Sequence, residues 1–168
     1  KATFEITQVI KGEGLVKAGD KIETLYFGEG TPGKAYLVLG IDPPRLMWST
    51  PLPLSQRAQS YLTSLMKLPK DGPERLVFFQ KYLEDEDELL ARDAYDEFAR
   101  APYQAVKDLK AQMNREQIIA WIKDPNVPAS RRRLYFVMLG VCGDEAKDAP
   151  MLEEFMRWSD RSAKSGLG

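Results

Sequence analysis

The hydrophobic period of this chain changes once, across Ser49-Thr50-Pro51-Leu52-Pro53-Leu54, and that change limits what its 168 residues can fold into. Before it, apolar residues tend to alternate with polar ones, the spacing of a half-buried strand; after it they recur every three or four, the spacing of a helix face. The expected fold class is therefore α+β. A small antiparallel β unit should occupy residues 1–48, a Pro-rich extended link 49–54, and a mainly helical part 55–168.

Within the first part, Thr3 to Ile10 is rich in β-formers and partly alternates, with Phe4 and Ile6 opposite Glu5 and Thr7. Lys11-Gly12-Glu13-Gly14 and Ala18-Gly19-Asp20 read as turns, and Ile22 to Phe27 as a second strand. Gly28 to Gly33 breaks the pattern, Ala35 to Ile41 predicts a third strand ended by Pro43-Pro44, and Arg45 to Trp48 a short fourth. Beyond the link, Ser55 predicts the N-cap of a helix to about Leu65. Further helices are expected over Glu74–Leu83, Asp87–Arg100, Tyr103–Met113, Arg115–Lys123, Ala129–Val141 and Pro150–Trp158. Their inward residues should include Phe79, Leu90, Phe98, Ile118, Trp121, Leu134, Val137, Leu152, Phe155 and Met156.

A shift of 39 positions lays Phe79, Tyr82, Leu83, Asp85 and Arg92 over Ile118, Trp121, Ile122, Asp124 and Arg131. Two helices in about forty residues form a unit that cannot hide its apolar face until the next unit stacks on it. Leu139-Gly140-Val141-Cys142-Gly143-Asp144, followed by Ala149-Pro150-Met151-Leu152, resembles the turn and following helix of HEAT-like repeats. That resemblance implies a helical-hairpin solenoid with an Asp-to-Arg ladder, a role it would give to Asp124 with Arg131 or Arg132. Ala101-Pro102-Tyr103 departs from the glycine-rich turn at the corresponding earlier place.

The segments Phe4-Glu5-Ile6, Val9-Ile10-Lys11-Gly12, Gly19-Asp20-Lys21-Ile22 and Ala35-Tyr36-Leu37-Val38-Leu39 resemble part of the OB-type barrel of netrin-like domains. Metalloproteinase inhibitors of that class act through an N-terminal cysteine, and this chain has no cysteine before position 142, so inhibition is not implied. The combination is similar to bacterial proteins that place such a β domain before helical repeats. With Lys1 at one end and Ser162 to Gly168 at the other, the sequence is expected to be a piece of a longer protein.

Composition narrows the chemistry. Without histidine, the chain lacks the one side chain whose ordinary pKa lies near neutrality, which excludes Ser-His-Asp and Cys-His catalysis by these residues alone. A single cysteine cannot form an internal disulfide, and with no histidine an ordinary zinc site is not expected; Cys142 should pack as a small hydrophobe. Gly28-Glu29-Gly30-Thr31-Pro32-Gly33-Lys34 approaches a phosphate loop, but Ala35 replaces the final Ser or Thr and a strand, not a helix, is expected next. Ser64-Leu65-Met66-Lys67 matches a serine acyl-enzyme pattern too short to carry weight. Glu84-Asp85-Glu86-Asp87-Glu88 lacks the glycine and distant glutamate of a calcium loop and reads as a solvated cap for the helix after it.

No catalytic, cofactor-binding or metal-binding residue is therefore expected, and the chain is not expected to be an enzyme. Its net charge of −1 gives no global pull toward nucleic acid, and no apolar run is long enough for a membrane span. Binding should be local, at Arg131, Arg132 and Arg133, whose neighbours include Asp124, and at Trp48, beside the link. Tyr26, Tyr36, Tyr103 and Trp158 are further aromatic candidates. The expected function is a non-catalytic protein-interaction or scaffold module with a protein partner; the alternative is an accessory segment of a larger enzyme. A soluble, exported bacterial protein is favoured over a cytoplasmic one.

Overall fold

The computed structural model describes residues 1–12, 14–70 and 72–157. Glu13, Asp71 and everything from Trp158 onward lie outside the described residues, as do the side chains of Phe155 and Met156. The chain is α+β, with short antiparallel strand pairs followed by helices. Its contacts gather into two compact units, Lys1–Lys67 and Leu68–Gly168.

In the first unit, β1 (Ala2–Glu5) pairs antiparallel with β2 (Lys21–Thr24), and Phe4 stands opposite Ile22. Alternation buries Ile22 and Thr24 and leaves Lys21 and Glu23 exposed. Both strands are shorter than the expected Thr3–Ile10 and Ile22–Phe27: the Ala18-Gly19-Asp20 turn ends the ladder just beyond Glu5, and at the other end β2 stops at Thr24, opposite Ala2. The rungs at the turn are the Ile6 amide to the Asp20 carbonyl at 2.9 Å and the Gly19 amide to the Ile6 carbonyl at 2.8 Å. The rings of Phe4, Tyr26 and Tyr36 meet edge to face, 5.2 to 5.9 Å apart.

The single strand expected over Ala35–Ile41 is two short ones, because the chain changes partners between them. β3 (Tyr36–Leu37) pairs with β6 (Leu52–Pro53), and β4 (Gly40–Ile41) pairs with β5 (Met47–Trp48). The Pro-rich stretch expected to be a link thus contributes a strand. A proline is tolerated in β6 because that strand pairs on one side only; Pro51 before it is fully buried, and the Leu54 amide reaches the Ala35 carbonyl at 2.9 Å. Helix α1 (Gln56–Leu65) begins where expected, with Ser55 Oγ accepting from the Ala58 amide at 2.9 Å. It buries Ala58 and Tyr61 and groups with the strands rather than with the later helices.

The second unit contains α2 (Pro73–Gln80), α3 (Glu88–Arg100), α4 (Tyr103–Asp108), a 3-10 turn (Lys110–Gln112), α5 (Arg115–Lys123), α6 (Ala129–Cys142) and α7 (Glu145–Arg157). Asp87 and Asn114 cap α3 and α5 through the amides of Leu89 and Gln117. Helix α2 packs on α3 and α5 on α6; Phe79 of α2 and Leu83 in the turn after it are buried, as are Ile118 and Ile122 of α5. Leu90, Ala94 and Phe98 line the inner face of α3, as their spacing predicts.

Helices α2 and α4 stop short of the expected Leu83 and Met113, at Gln80 and Asp108, and α6 and α7 differ in buried face and in start. The buried face of α6 includes Arg131, Tyr135, Met138, Leu139 and Val141, while Leu134 is half-buried and Val137 is 45% exposed. This rotation is possible because Glu84 accepts the Tyr135 hydroxyl, so a ring with a polar tip can go inside. Helix α7 starts at Glu145 rather than Pro150, with the amides of Lys147 and Asp148 reaching the Asp144 carbonyl at 3.0 and 2.8 Å. Pro150 then sits inside the helix, where it removes one amide donor. Gly143 is needed at the preceding corner: a Cβ there would strike the Leu139 carbonyl oxygen and lie 2.7 Å from Asp148 Oδ2.

Candidate functional site

Consecutive residues on a helix point about 100° apart, so the run Arg131-Arg132-Arg133 at the start of α6 cannot present one basic face. Arg131 turns inward, and its side chain is 8% exposed. One of its terminal nitrogens donates to Glu84 Oε2 at 3.4 Å and another to Glu88 Oε1. Burial opposes its charge, but the Glu88 hydrogen bond and the negative charges of Glu84 and Glu88 outweigh that and hold the guanidinium above its usual pKa. The Tyr135 hydroxyl donates to Glu84 Oε1 at 2.6 Å; burial and that carboxylate both push the phenol far above its ordinary range. The Tyr135 ring lies 4.9 Å from that of Trp121. The acidic run is thus not wholly a solvated cap: Glu84 joins the turn after α2 to α6, from a backbone in the left-handed region, φ 55°.

Asp124, expected to form the ladder with Arg131 or Arg132, serves its own loop. Its Oδ1 accepts from the Asn126 amide at 2.8 Å and from Asn126 Nδ2 at 3.0 Å, an Asx turn between α5 and α6. The carboxylates that answer Arg131 come from before and within the first turn of α3 instead. Arg132 is half-buried, with Nε lacking a hydrogen-bond partner. A second paired charge lies further along, where Arg115 at the start of α5 grips Asp148 of α7, with Nε to Oδ2 at 3.1 Å. The Arg115 hydrogen bonds hold the Asp148 carboxyl below its usual range, against the effect of burial, helped by the Asp144 amide at 2.8 Å.

Arg133 alone of the three faces an open surface. It lines a groove of about 260 Å³ with Tyr95, Phe98, Tyr103, Leu134 and Val137, drawn from α3, the start of α4, and α6. Phe98 forms part of the core, whereas Tyr103 is 57% exposed. The Ala101-Pro102 corner breaks the helical path between α3 and α4; Ala101 and Tyr103 both line the groove. Lys107 Nζ sits 5.3 Å from the centre of the Tyr103 ring.

The other sequence candidates lie apart from this groove. Trp48, in β5 of the first unit, packs over Gly40, where an added Cβ would come within 3.2 Å of the indole, and its carbonyl accepts from Thr24 Oγ1 at 3.3 Å. Gly28 to Lys34 is a loop leading into β3, so no helix N-terminus opens behind it. Ser64 Oγ donates to the Ser60 carbonyl at 3.0 Å on the exposed face of α1. Cys142 ends α6 half-buried, its thiol pushed up by burial. Among the described residues no group of three His, Cys, Asp or Glu side chains is placed to hold a metal ion, and no helix is long and apolar enough to cross a membrane.

Sequence reasoning missed Glu84, Glu88, Tyr135 and Asp148 as partners, and Tyr95 and Val137 as groove walls. For Tyr135 a signal existed: a phenol amid apolar residues on a helix needs an acceptor, and an acidic run was available. No family model matches this chain, nor does any curated protein or solved structure.

Proposed function

We propose that this chain is a non-catalytic protein-interaction module whose contact surface includes the groove between α3, α4 and α6. The reading takes the helices as HEAT-like hairpins preceded by a partial OB-type β unit. Support for the hairpins comes from the matched burial of Phe79 with Ile118 and of Leu83 with Ile122. The similarity to bacterial proteins of that build adds an extracytoplasmic setting to the same proposal.

The observation that carries the function is the groove itself. At about 260 Å³ and open to solvent, it falls below the ~300–1,000 Å³ of sites that enclose a small molecule. Its apolar floor and exposed tyrosine suit the anchoring side chain of another protein. With Arg131 taken up by Glu84 and Glu88, the arginine run offers no continuous basic stripe for a nucleic-acid backbone.

Val137→Asp tests this reading, because it places a charge on an exposed groove wall. Proteins recovered from the native source on immobilised wild-type chain should be lost on the variant, while its circular dichroism stays unchanged. Equal recovery of every protein removes the groove from the proposal.

A further inference from the structure

We infer that the outer face of the hairpin formed by β4 and β5 is a contact between two copies of this chain, joined about a twofold axis that runs along the hairpin. This surface belongs to the strand unit and does not depend on the groove. The pairing register sets Ile41 directly opposite Met47, so both side chains stand on one face of the ribbon. Leu39, two residues before Ile41, shares that face: its carbonyl accepts from the Ser49 amide at 2.9 Å, which continues the ladder. The opposite face is occupied from within, since Leu46 and the Trp48 ring close over Gly40 and would meet a Cβ there at 3.2 Å. Leu39, Ile41 and Met47 are left 56%, 47% and 58% exposed, three large apolar side chains side by side in water.

The charges at the end of the hairpin identify the occupant. Asp42 follows β4 and Arg45 comes shortly before β5; both are exposed, and among the described residues neither takes part in an ion pair. A partner carrying one sign of charge would attract one of them and repel the other. A second copy answers both. Rotation by half a turn about the long axis of the hairpin lays β4 of one copy over β5 of the other, with the two tips at the same end. Ile41 then meets Met47 and Asp42 meets Arg45, each pair formed twice, as in two sheets packed face to face with complementary charge at the rim. The face is small. Three apolar side chains per copy fall well short of the ~800 Å² that each partner buries in a stable complex, so the Kd is on the order of 0.1–1 mM. At the micromolar concentrations of an unfolding experiment the copies are apart.

Sedimentation velocity of the full chain from about 10 µM to about 2 mM should show the mean mass climbing toward that of a dimer. Arg45→Glu sets like charges together in both pairs and should weaken association at least about tenfold, removing the climb; Asp42→Lys should do the same. An equimolar mixture of these two variants should restore it, because each then offers the charge that the other lacks. Asp42→Asn, which suits the left-handed backbone there, φ 58°, should weaken association about threefold without disturbing the turn. Ile41→Ser should weaken it at least about fivefold, with circular dichroism unchanged. A mean mass that stays constant over the whole range, or a dimer indifferent to Ile41→Ser, overturns the contact. Failure of the mixture to associate more than either variant alone overturns the twofold arrangement. A dimer that breaks on Val137→Asp instead sets the copies on the groove and overturns the hairpin face.

Discussion

The two units treat their apolar residues in opposite ways. In the helical unit, Phe79, Leu90, Ile118, Ile122, Tyr135 and Met138 are almost wholly withdrawn from water. In the strand unit, Leu25, Phe27, Leu39, Ile41, Met47 and Leu52 stand exposed, with Phe27 reaching 88%. Strand length explains the contrast. A helix of nine to fourteen residues, as α5 and α6 are, repeats its apolar stripe over several turns, so two such helices cover each other. Strands of two to four residues, each with one partner, offer too little surface to cover both of their faces. Stability in the helical unit is therefore distributed through its interior, whereas the strand unit leans on a few contacts, the Phe4-Tyr26-Tyr36 rings and the buried pair Ala58 and Tyr61 among them.

The largest test of that contrast is Phe79→Ala. It should cost about 3–5 kcal/mol, the range for emptying a fully buried aromatic site, measured by urea unfolding followed by circular dichroism. A loss under about 1 kcal/mol would mean the helical interior is loosely filled, and the contrast would fail.

Next comes Asp148→Asn, which sharpens the contrast by probing the charges inside the helical unit. It should destabilise the fold at pH 7 by less than Phe79→Ala does, because Arg115, itself part-exposed, loses its charged partner. Since the folded carboxyl is held below its usual range, the stabilisation is complete above the unfolded value near ~4 and is lost as pH falls through the lower folded value. The difference between wild type and variant should therefore narrow below pH ~4. A gap that stays constant down to pH ~3 would remove the ionised pair as its cause.

The smallest effect belongs to the strand unit. Met47→Thr, at a side chain already facing solvent, should change stability by less than about 0.5 kcal/mol in the same unfolding experiment. A cost above about 1.5 kcal/mol would show that this face is covered in solution, and the two units would no longer differ in kind.

Much of the helical order was legible because amphipathic spacing and caps act locally. Ser55, Asp87 and Asn114 mark their helix starts, and Arg115–Lys123 has the expected bounds. The strands were less legible: nothing within Ala35–Ile41 announces that Tyr36 and Gly40 will find different partners, since pairing depends on residues far along the chain. The site shows the same division. Arg133 could be singled out from its type, but that Arg131 points inward, that Asp124 serves its own turn, and that Val137 faces outward all follow from the rotation of α6 about its axis. One phenol finding Glu84 helps to fix that rotation, across 51 positions of sequence.

Glu84 carries a consequence for how this chain can vary. Its backbone lies in a region where glycine or asparagine would rest more easily, yet neither could answer both Arg131 and Tyr135. Local comfort and distant obligation pull that position in opposite directions. Drift toward the residue the turn prefers would strand a buried cation on α6, so change at 84 is tied to simultaneous change at 131 and 135, and the three should vary as a set or not at all.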